Sequence, residues 1–206
     1  AFEQFSERVK HKVVVAQGVE IEAYYYAVEE KADYYAQAIR VEGSGYRFDL
    51  VTPTQTYKDV YLKAMGRHNL FNAIGALAVL DTGGLPLDKA LASLRTFKGI
   101  RRRMEVFSLE NKTVVDDYAH HPEEINAVLK TISEFYPDKR NMVVFQPHLF
   151  SRTRGFMDGF VEVLSQFDEI VLIKLILFFE TILLRSKNGL PDLFCCLEWL
   201  LHYLNL

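Results

Sequence analysis

The stretch Thr113-Val114-Val115-Asp116-Asp117-Tyr118-Ala119-His120-His121-Pro122-Glu123-Glu124-Ile125 decides the fold. Thr113 to Asp117 reads as a strand, opened by the β-branched and apolar run Thr113 to Val115 and followed by the polar turn Tyr118 to His121. Pro122 suits a first helical position, where its missing N–H costs nothing. Glu123 and Glu124 then complement the positive end of a helix dipole. Ile125, Val128, Leu129, Ile132 and Phe135 recur at helical spacing until Tyr136-Pro137 stops the helix, and Met142-Val143-Val144-Phe145 reads as the next strand. Strand, helix and strand make a βαβ unit.

Downstream, a helix carrying Phe156, Phe160 and Leu164 inward and a strand from Glu169 to Ile173 extend the pattern. The expectation is an α/β domain with an open, mostly parallel, Rossmann-like sheet. Upstream, residues 11–63 alternate in the strand manner, in the runs KVVVAQ, IEAYYY, QAIRVE, YRFDLV and DVYLKA, which predict short mixed or antiparallel strands. The period then lengthens. GRHNLFNAIGALAVL puts Leu70, Ile74, Leu77 and Ala78 on one helical face, and a second helix from Leu87 to about Phe97 turns Leu87, Leu91 and Leu94 inward. Lys98 to Arg103 breaks the periodicity. The reading is thus a first domain over 1–99 of mixed strands plus two helices, a second over 100–173, and an apolar tail over 174–206.

Composition sets the outer limits. The chain has 206 residues, 24 basic and 27 acidic, for a net charge of −3. That balance offers no basic surplus for nucleic acid. The two cysteines, Cys195 and Cys196, are adjacent, which is neither zinc spacing nor a spread of disulfide partners. A cytoplasmic setting without a membrane span is expected, since Lys174, Glu180, Arg185 and Lys187 interrupt the long apolar run.

In open α/β sheets, ligands gather beyond the carboxyl ends of the strands. Two polar clusters are expected there: Asp116 to His121 after one strand, and Gln146 to Arg154 after the next. Because parallel strands joined by one helix are often neighbours, the two clusters are expected to share one rim. Asp117 and His120 are equally at home as turn and capping residues, and Arg152 and Arg154 as surface charges. Asn69 and Asn72, three apart, face the same way at the start of their helix. An amide that donates and accepts suits the edge of an adenine, although Asn at a helix start is commonly a cap. Arg101-Arg102-Arg103 can fork onto a phosphate or stay solvated. The histidine pair lacks a zinc spacing, and no metal ligand is assigned.

In order, GRHNLFNAIGALAV, FKGIRRRME, VVDDYAHHPEEINAVLK and VVFQPHLFSRTRGF resemble the Mur ligases over about residues 66–173. The resemblance is nearest to the members that join L-alanine to UDP-N-acetylmuramate in peptidoglycan synthesis. It implies an enzyme that uses ATP and magnesium, phosphorylates the muramate carboxylate and lets the alanine amine attack the acyl phosphate. It implies that His68, Asn69 and Asn72 meet the adenine, that Arg102 or Arg103 approaches the phosphates and that Asp117 holds the ribose. Tyr118 and His120 then line the reaction centre, and Arg152 grips the alanine carboxylate.

Leu149-Phe150 stands where many relatives have Arg-Tyr or Arg-Phe. The family's UDP-sugar domain, phosphate loop and magnesium ligands are expected in a part preceding residue 1, so the chain reads as a truncated piece, inactive alone. Its tail from Lys174 departs from the family pattern, as a frame shift would make it. Two other readings stand beside this one: a fragment of the related ligase that recycles a whole tripeptide, which prefers Phe where this chain has Tyr118, and a non-catalytic nucleotide or amino-acid binding module.

Overall fold

The computed structural model describes residues 4, 6–109, 112–147, 150–173, 181–185 and 193–197, with the backbone alone described at 150, 181–185 and 193–197. Leu149 and the tail positions Lys174, Glu180 and Lys187 therefore lie outside the described residues, as do the side chains of Cys195 and Cys196. The chain divides into two compact units, Ala1–Lys98 and Gly99–Leu206. Among the described residues no helix is long and apolar enough to cross a membrane.

The first unit is a five-stranded sheet, ordered β1 (Val14–Ala16), β2 (Tyr24–Val28), β3 (Tyr34–Glu42), β4 (Gly45–Val51), β5 (Thr56–Leu62), covered by α1 (Arg67–Thr82) and followed by α2 (Leu87–Leu94). It is mixed: β1, β2 and β3 run parallel, and β3, β4 and β5 antiparallel. Only residues 29–33 connect β2 to its parallel neighbour β3, where a helical crossover is usual. The short return is held by local bonds. The Tyr25 N–H donates to Asp33 Oδ2 at 2.8 Å, the Glu29 N–H donates to Ala36 O at 3.0 Å, and Glu29 takes a left-handed φ of 67°.

Helix α1 buries Leu70, Ile74, Leu77 and Ala78, the four positions its periodicity predicts. Each fully buried Leu or Ile contributes about 1.5–3 kcal/mol. The Tyr34 hydroxyl ties β3 to the end of this helix by donating to Asp81 Oδ2 at 2.8 Å. Helix α2 ends at Leu94, one turn earlier than expected, and only its Leu87 is fully buried.

The second unit is a six-stranded sheet ordered β10 (Thr181–Arg185), β9 (Glu169–Ile173), β8 (Asn141–Phe145), β11 (Leu193–Leu197), β7 (Lys112–Asp117), β6 (Glu105–Leu109). The four inner strands are parallel and the two edge strands antiparallel. Helix α3 (Pro122–Phe135) joins β7 to β8, and α4 (Phe150–Gly155) and α5 (Met157–Leu164) precede β9. Ile125, Val128, Leu129 and Ile132 of α3 are buried, as are Phe160, Val163 and Leu164 of α5. The α3 and α5 amino ends cross closely because Gly159 has no side chain: a Cβ there would sit 3.2 Å from the Pro122 ring.

Three expectations change. Strands β7 and β8 are not neighbours, because β11 pairs in parallel with both and lies between them. An interior parallel strand needs an unbroken apolar run, and Leu193–Leu197, LFCCL, is one. The two polar turns therefore stand two strand spacings apart, about 9–10 Å, and part of the apolar tail belongs to the sheet. Phe156 is 47 % exposed and sits at the N-cap of α5 instead of facing inward. Strand β6, absent from the sequence-based reading, pairs with β7 along the edge.

Candidate functional site

In the first unit the candidate residues gather at the head of α1. Its N-cap is Gly66 at φ 93°, with no side chain to accept the first N–H groups. A Cβ there would meet the His68 imidazole at 2.6 Å, so the glycine both takes the left-handed turn and leaves room for the ring. Asn69 is half-buried, and its side-chain N–H donates to Met65 O at 2.7 Å. Asn72, one turn on, is exposed and opens onto a groove of about 510 Å³ beside Tyr26, Gly75, Ala76 and Val79. The Tyr26 ring lies against Phe71 at a centroid distance of 4.6 Å and fits flush on the helix because Gly75 lacks a Cβ. The groove thus pairs an amide with an aromatic wall.

In the second unit Asp117, the last residue of β7, organises the turn that follows. It is 4 % exposed; its Oδ1 accepts the Ala119 N–H and its Oδ2 the Met104 N–H, each at 2.8 Å. Two charge-assisted bonds from backbone donors pin two segments together. The arginine run is the second of them. Arg102 and Met104 take left-handed φ values of 56° and 52°, the Arg102 N–H donates to Glu105 Oε2, and Arg102 O accepts the Tyr118 N–H at 2.9 Å. Arg102 is half-buried and Arg103 exposed, its guanidinium 5.8 Å from the centre of the Tyr118 ring. Burial pushes the Asp116 carboxyl above the usual carboxylate range, while the Arg102 charge opposes that rise.

Tyr118 in turn meets the His120 ring edge-on at 5.2 Å. His120 Nδ1 lies 2.9 Å from Tyr118 O. A carbonyl oxygen only accepts, so Nδ1 carries the proton and, in the neutral ring, Nε2 carries the lone pair. Glu124 Oε2 accepts the backbone N–H groups of His120 at 2.9 Å and His121 at 3.2 Å, and lies 3.4 Å from His120 Nδ1. His121 is the N-cap of α3; its Nδ1 accepts the Glu123 N–H at 3.4 Å, completing a capping box with Glu124. Its ring rests on Phe156 at 4.5 Å.

Of the expected site residues, the structure therefore brings Arg102, Arg103, Asp117, Tyr118 and His120 into one cluster. His68, Asn69 and Asn72 form another, in the other unit. Arg152 lies on α4, half-buried; its carbonyl accepts the Phe156 N–H at 3.0 Å, and Phe156 leads to the His121 ring. His148 of the second polar turn lies outside the described residues. In the sequence Glu124 reads only as a charge on the helix dipole. Its signal was the spacing His121-x-x-Glu124, a capping box whose first member is histidine instead of serine or threonine. Among the described residues no group of three or more His, Cys, Asp or Glu side chains is placed to hold a metal.

Two family models match this chain: the Mur ligase middle domain over residues 6–80, and the Mur ligase glutamate ligase domain over residues 102–183. The second match runs ten residues past Ile173. A protein of Flavobacterium johnsoniae named UDP-N-acetylmuramate--L-alanine ligase is 44 % identical over 175 residues, covering 84 % of this chain and 39 % of the relative. A ligase of the same name from Flavobacterium psychrophilum is 42 % identical over 176 residues, with the same coverage. The solved MurC of Thermotoga maritima, a UDP-N-acetylmuramate-alanine ligase, superposes with a TM-score of 0.67 at 28 % identity, covering 80 % of this chain and 38 % of that one. The chain thus spans about two-fifths of the length of the curated relatives it matches.

Proposed function

We propose, on the premise that this chain belongs to the Mur ligase family through its middle and C-terminal domains, that it forms part of an ATP-dependent ligase joining L-alanine to UDP-N-acetylmuramate. The observation that carries this reading is the 44 % identity over 175 residues with a ligase of that name. In this reading residues 1–99 contribute the later part of the middle domain, and the second unit the amino-acid-binding domain. ATP, with magnesium, supplies the phosphoryl group that activates the muramate carboxylate, and its metal ligands come from a part of the enzyme outside this chain.

Each unit by itself carries groups that suit such a nucleotide. Asn72 offers an amide able to donate to and accept from an adenine edge, beside the Tyr26 wall. Of the neighbouring candidates, Asn69 is bonded to Met65 O and holds the helix head, so it shapes the site through Asn72's placement. Of the two arginines that are candidates for the phosphates, Arg103 is exposed beside the Tyr118 ring and is preferred, since the Arg102 charge acts on Asp116. Asp117, its carboxylate fixed by the Ala119 and Met104 N–H groups, is the candidate for the ribose. His120, with a basic Nε2, and Tyr118 line the reaction centre, and Arg152 is the counter-ion for the alanine carboxylate. Tyr118 favours the alanine ligase over the tripeptide ligase; a binding module without catalysis makes no use of an oriented imidazole.

The test uses a chimera in which this chain replaces the matched part of the Flavobacterium johnsoniae ligase. Phosphate release with ATP, UDP-N-acetylmuramate and L-alanine is expected, and Arg152→Ala is expected to raise the alanine KM about 10- to 100-fold. That is the loss of a charge-assisted pair contributing about 1.5–3 kcal/mol. An unchanged alanine KM removes Arg152 from the site, and turnover with the tripeptide but not with alanine replaces the alanine reading.

A further inference from the structure

One carboxylate oxygen, Glu124 Oε2, faces three nitrogens at the head of α3: the backbone N–H of His120 at 2.9 Å, that of His121 at 3.2 Å, and His120 Nδ1 at 3.4 Å. The first two bonds hold the 118–121 turn so that Tyr118 O comes to 2.9 Å from the same Nδ1. The Nδ1 proton is thus given to the Tyr118 carbonyl, with the Glu124 carboxylate 3.4 Å from the same nitrogen, and both oxygens can only accept. From this geometry we infer that Glu124 is a positioning residue: it fixes the tautomer and orientation of His120, so that Nε2 is the ring's basic nitrogen.

The neighbouring histidine supplies an internal contrast. His121 Nδ1 accepts the Glu123 N–H, so its neutral ring carries the proton on Nε2. Two adjacent imidazoles thus hold opposite tautomers, each set by what its Nδ1 meets. A capping glutamate needs only the backbone bonds; the third contact, to a ring nitrogen, lies beyond what a helix cap requires. A histidine's free nitrogen is commonly set by the partner of the other one. The inference rests on the reading of His120 as lining the reaction centre for its use, though not for its geometry.

The test is nitrogen NMR of the histidine rings in the intact chain, at a pH where imidazoles are neutral. In the parent, His120 is expected as the Nδ1–H form and His121 as the Nε2–H form. Glu124→Ala removes all three contacts, and the Nδ1–H share of His120 is expected to fall at least twofold. Glu124→Gln keeps an oxygen for the backbone N–H groups and so preserves the cap. It is expected to shift His120 in the same direction while leaving His121 unchanged, and it serves if the alanine variant does not fold. Retention of the Nδ1–H form by His120 in every folded variant overturns the inference. In the chimera, Glu124→Gln is expected to lower kcat about tenfold with the KM values for ATP and alanine within twofold. A tautomer shift with unchanged kcat, when His120→Ala does lower kcat, also overturns it. An unaffected His120→Ala chimera counts instead against the proposed role of His120, and the NMR result still decides the geometry.

Discussion

The heads of α1 and α3 present two polar pairs, Asn69 with Asn72 and His120 with His121, and treat their backbones in opposite ways. At α3 the first N–H groups are taken up by side chains: His121 accepts one, Glu124 accepts the two that precede the helix, and Pro122 has none to offer. At α1 the cap is a glycine, which has no side chain to accept the first N–H groups, and the first turn carries no acidic residue. Yet in both pairs one member closes the local structure and the other is presented. Asn69 bonds back to Met65 O while Asn72 stands exposed, and His121 caps while His120 is held by its Nδ1. A pair of like residues at a helix start is therefore a division of labour, and residue type does not say which member does which.

Substitutions can break that division. The largest effect is expected at the presented amide. Asn72→Ala in the chimera should raise the ATP KM about tenfold, on the order of one hydrogen-bonded contact to a base, with the melting temperature unchanged. Asn69→Ala should do the reverse, lowering stability while moving the ATP KM less; equal effects of the two on KM would erase the distinction. Next comes the capping histidine. His121→Ala is expected to cost about 1 kcal/mol in urea unfolding, the ordinary worth of an N-cap, and His121→Asn or His121→Ser to restore it. A loss no smaller in the serine variant would mean that the Phe156 contact, not the cap, is what the ring supplies.

The smallest effect concerns the two consecutive aspartates, which divide their roles as the pairs do. Asp117 accepts two backbone bonds, whereas burial raises the Asp116 pKa. A carboxyl whose folded pKa lies above its unfolded value binds protons better when folded. Its charged form therefore opposes folding at neutral pH, and stability rises as pH falls through the folded pKa toward the unfolded one. Asp116→Asn should flatten that rise and leave neutral-pH stability equal or slightly higher, read from urea unfolding between pH 4 and 8. A steeper acid dependence in the variant would contradict the assignment to Asp116.

Much of this arrangement was legible in the residues. The inward face of α1 followed from helical spacing alone, because a helix that buries one side must repeat its apolar residues every three to four positions. The β7, α3 and β8 segments followed from a β-branched run, Pro122 and a second apolar run. The candidate cluster around Asp117, Tyr118 and His120 was legible because ligand turns in such sheets lie after the strands. Phe156 was not: its spacing matches a core position, but at the N-cap of α5 its ring meets His121 instead. Nor was the third contact of Glu124 Oε2, because its approach to a ring nitrogen depends on how the 118–121 turn closes.

By itself, then, the sequence determined the elements, their buried faces, the glycine and proline punctuation and the motifs that mark a Mur ligase, all of which depend on residues within a few positions of one another. Only the tertiary structure decided the order of the strands. Any apolar parallel run can pair with any other, and the cost of closing the intervening loop rises only slowly with its length. That is how Leu193–Leu197 comes to lie between β7 and β8 and to set the spacing of the two polar turns. It also decided which member of each polar pair is bonded within the fold and which is presented, since that choice is made by the partner each side chain meets once the chain is packed.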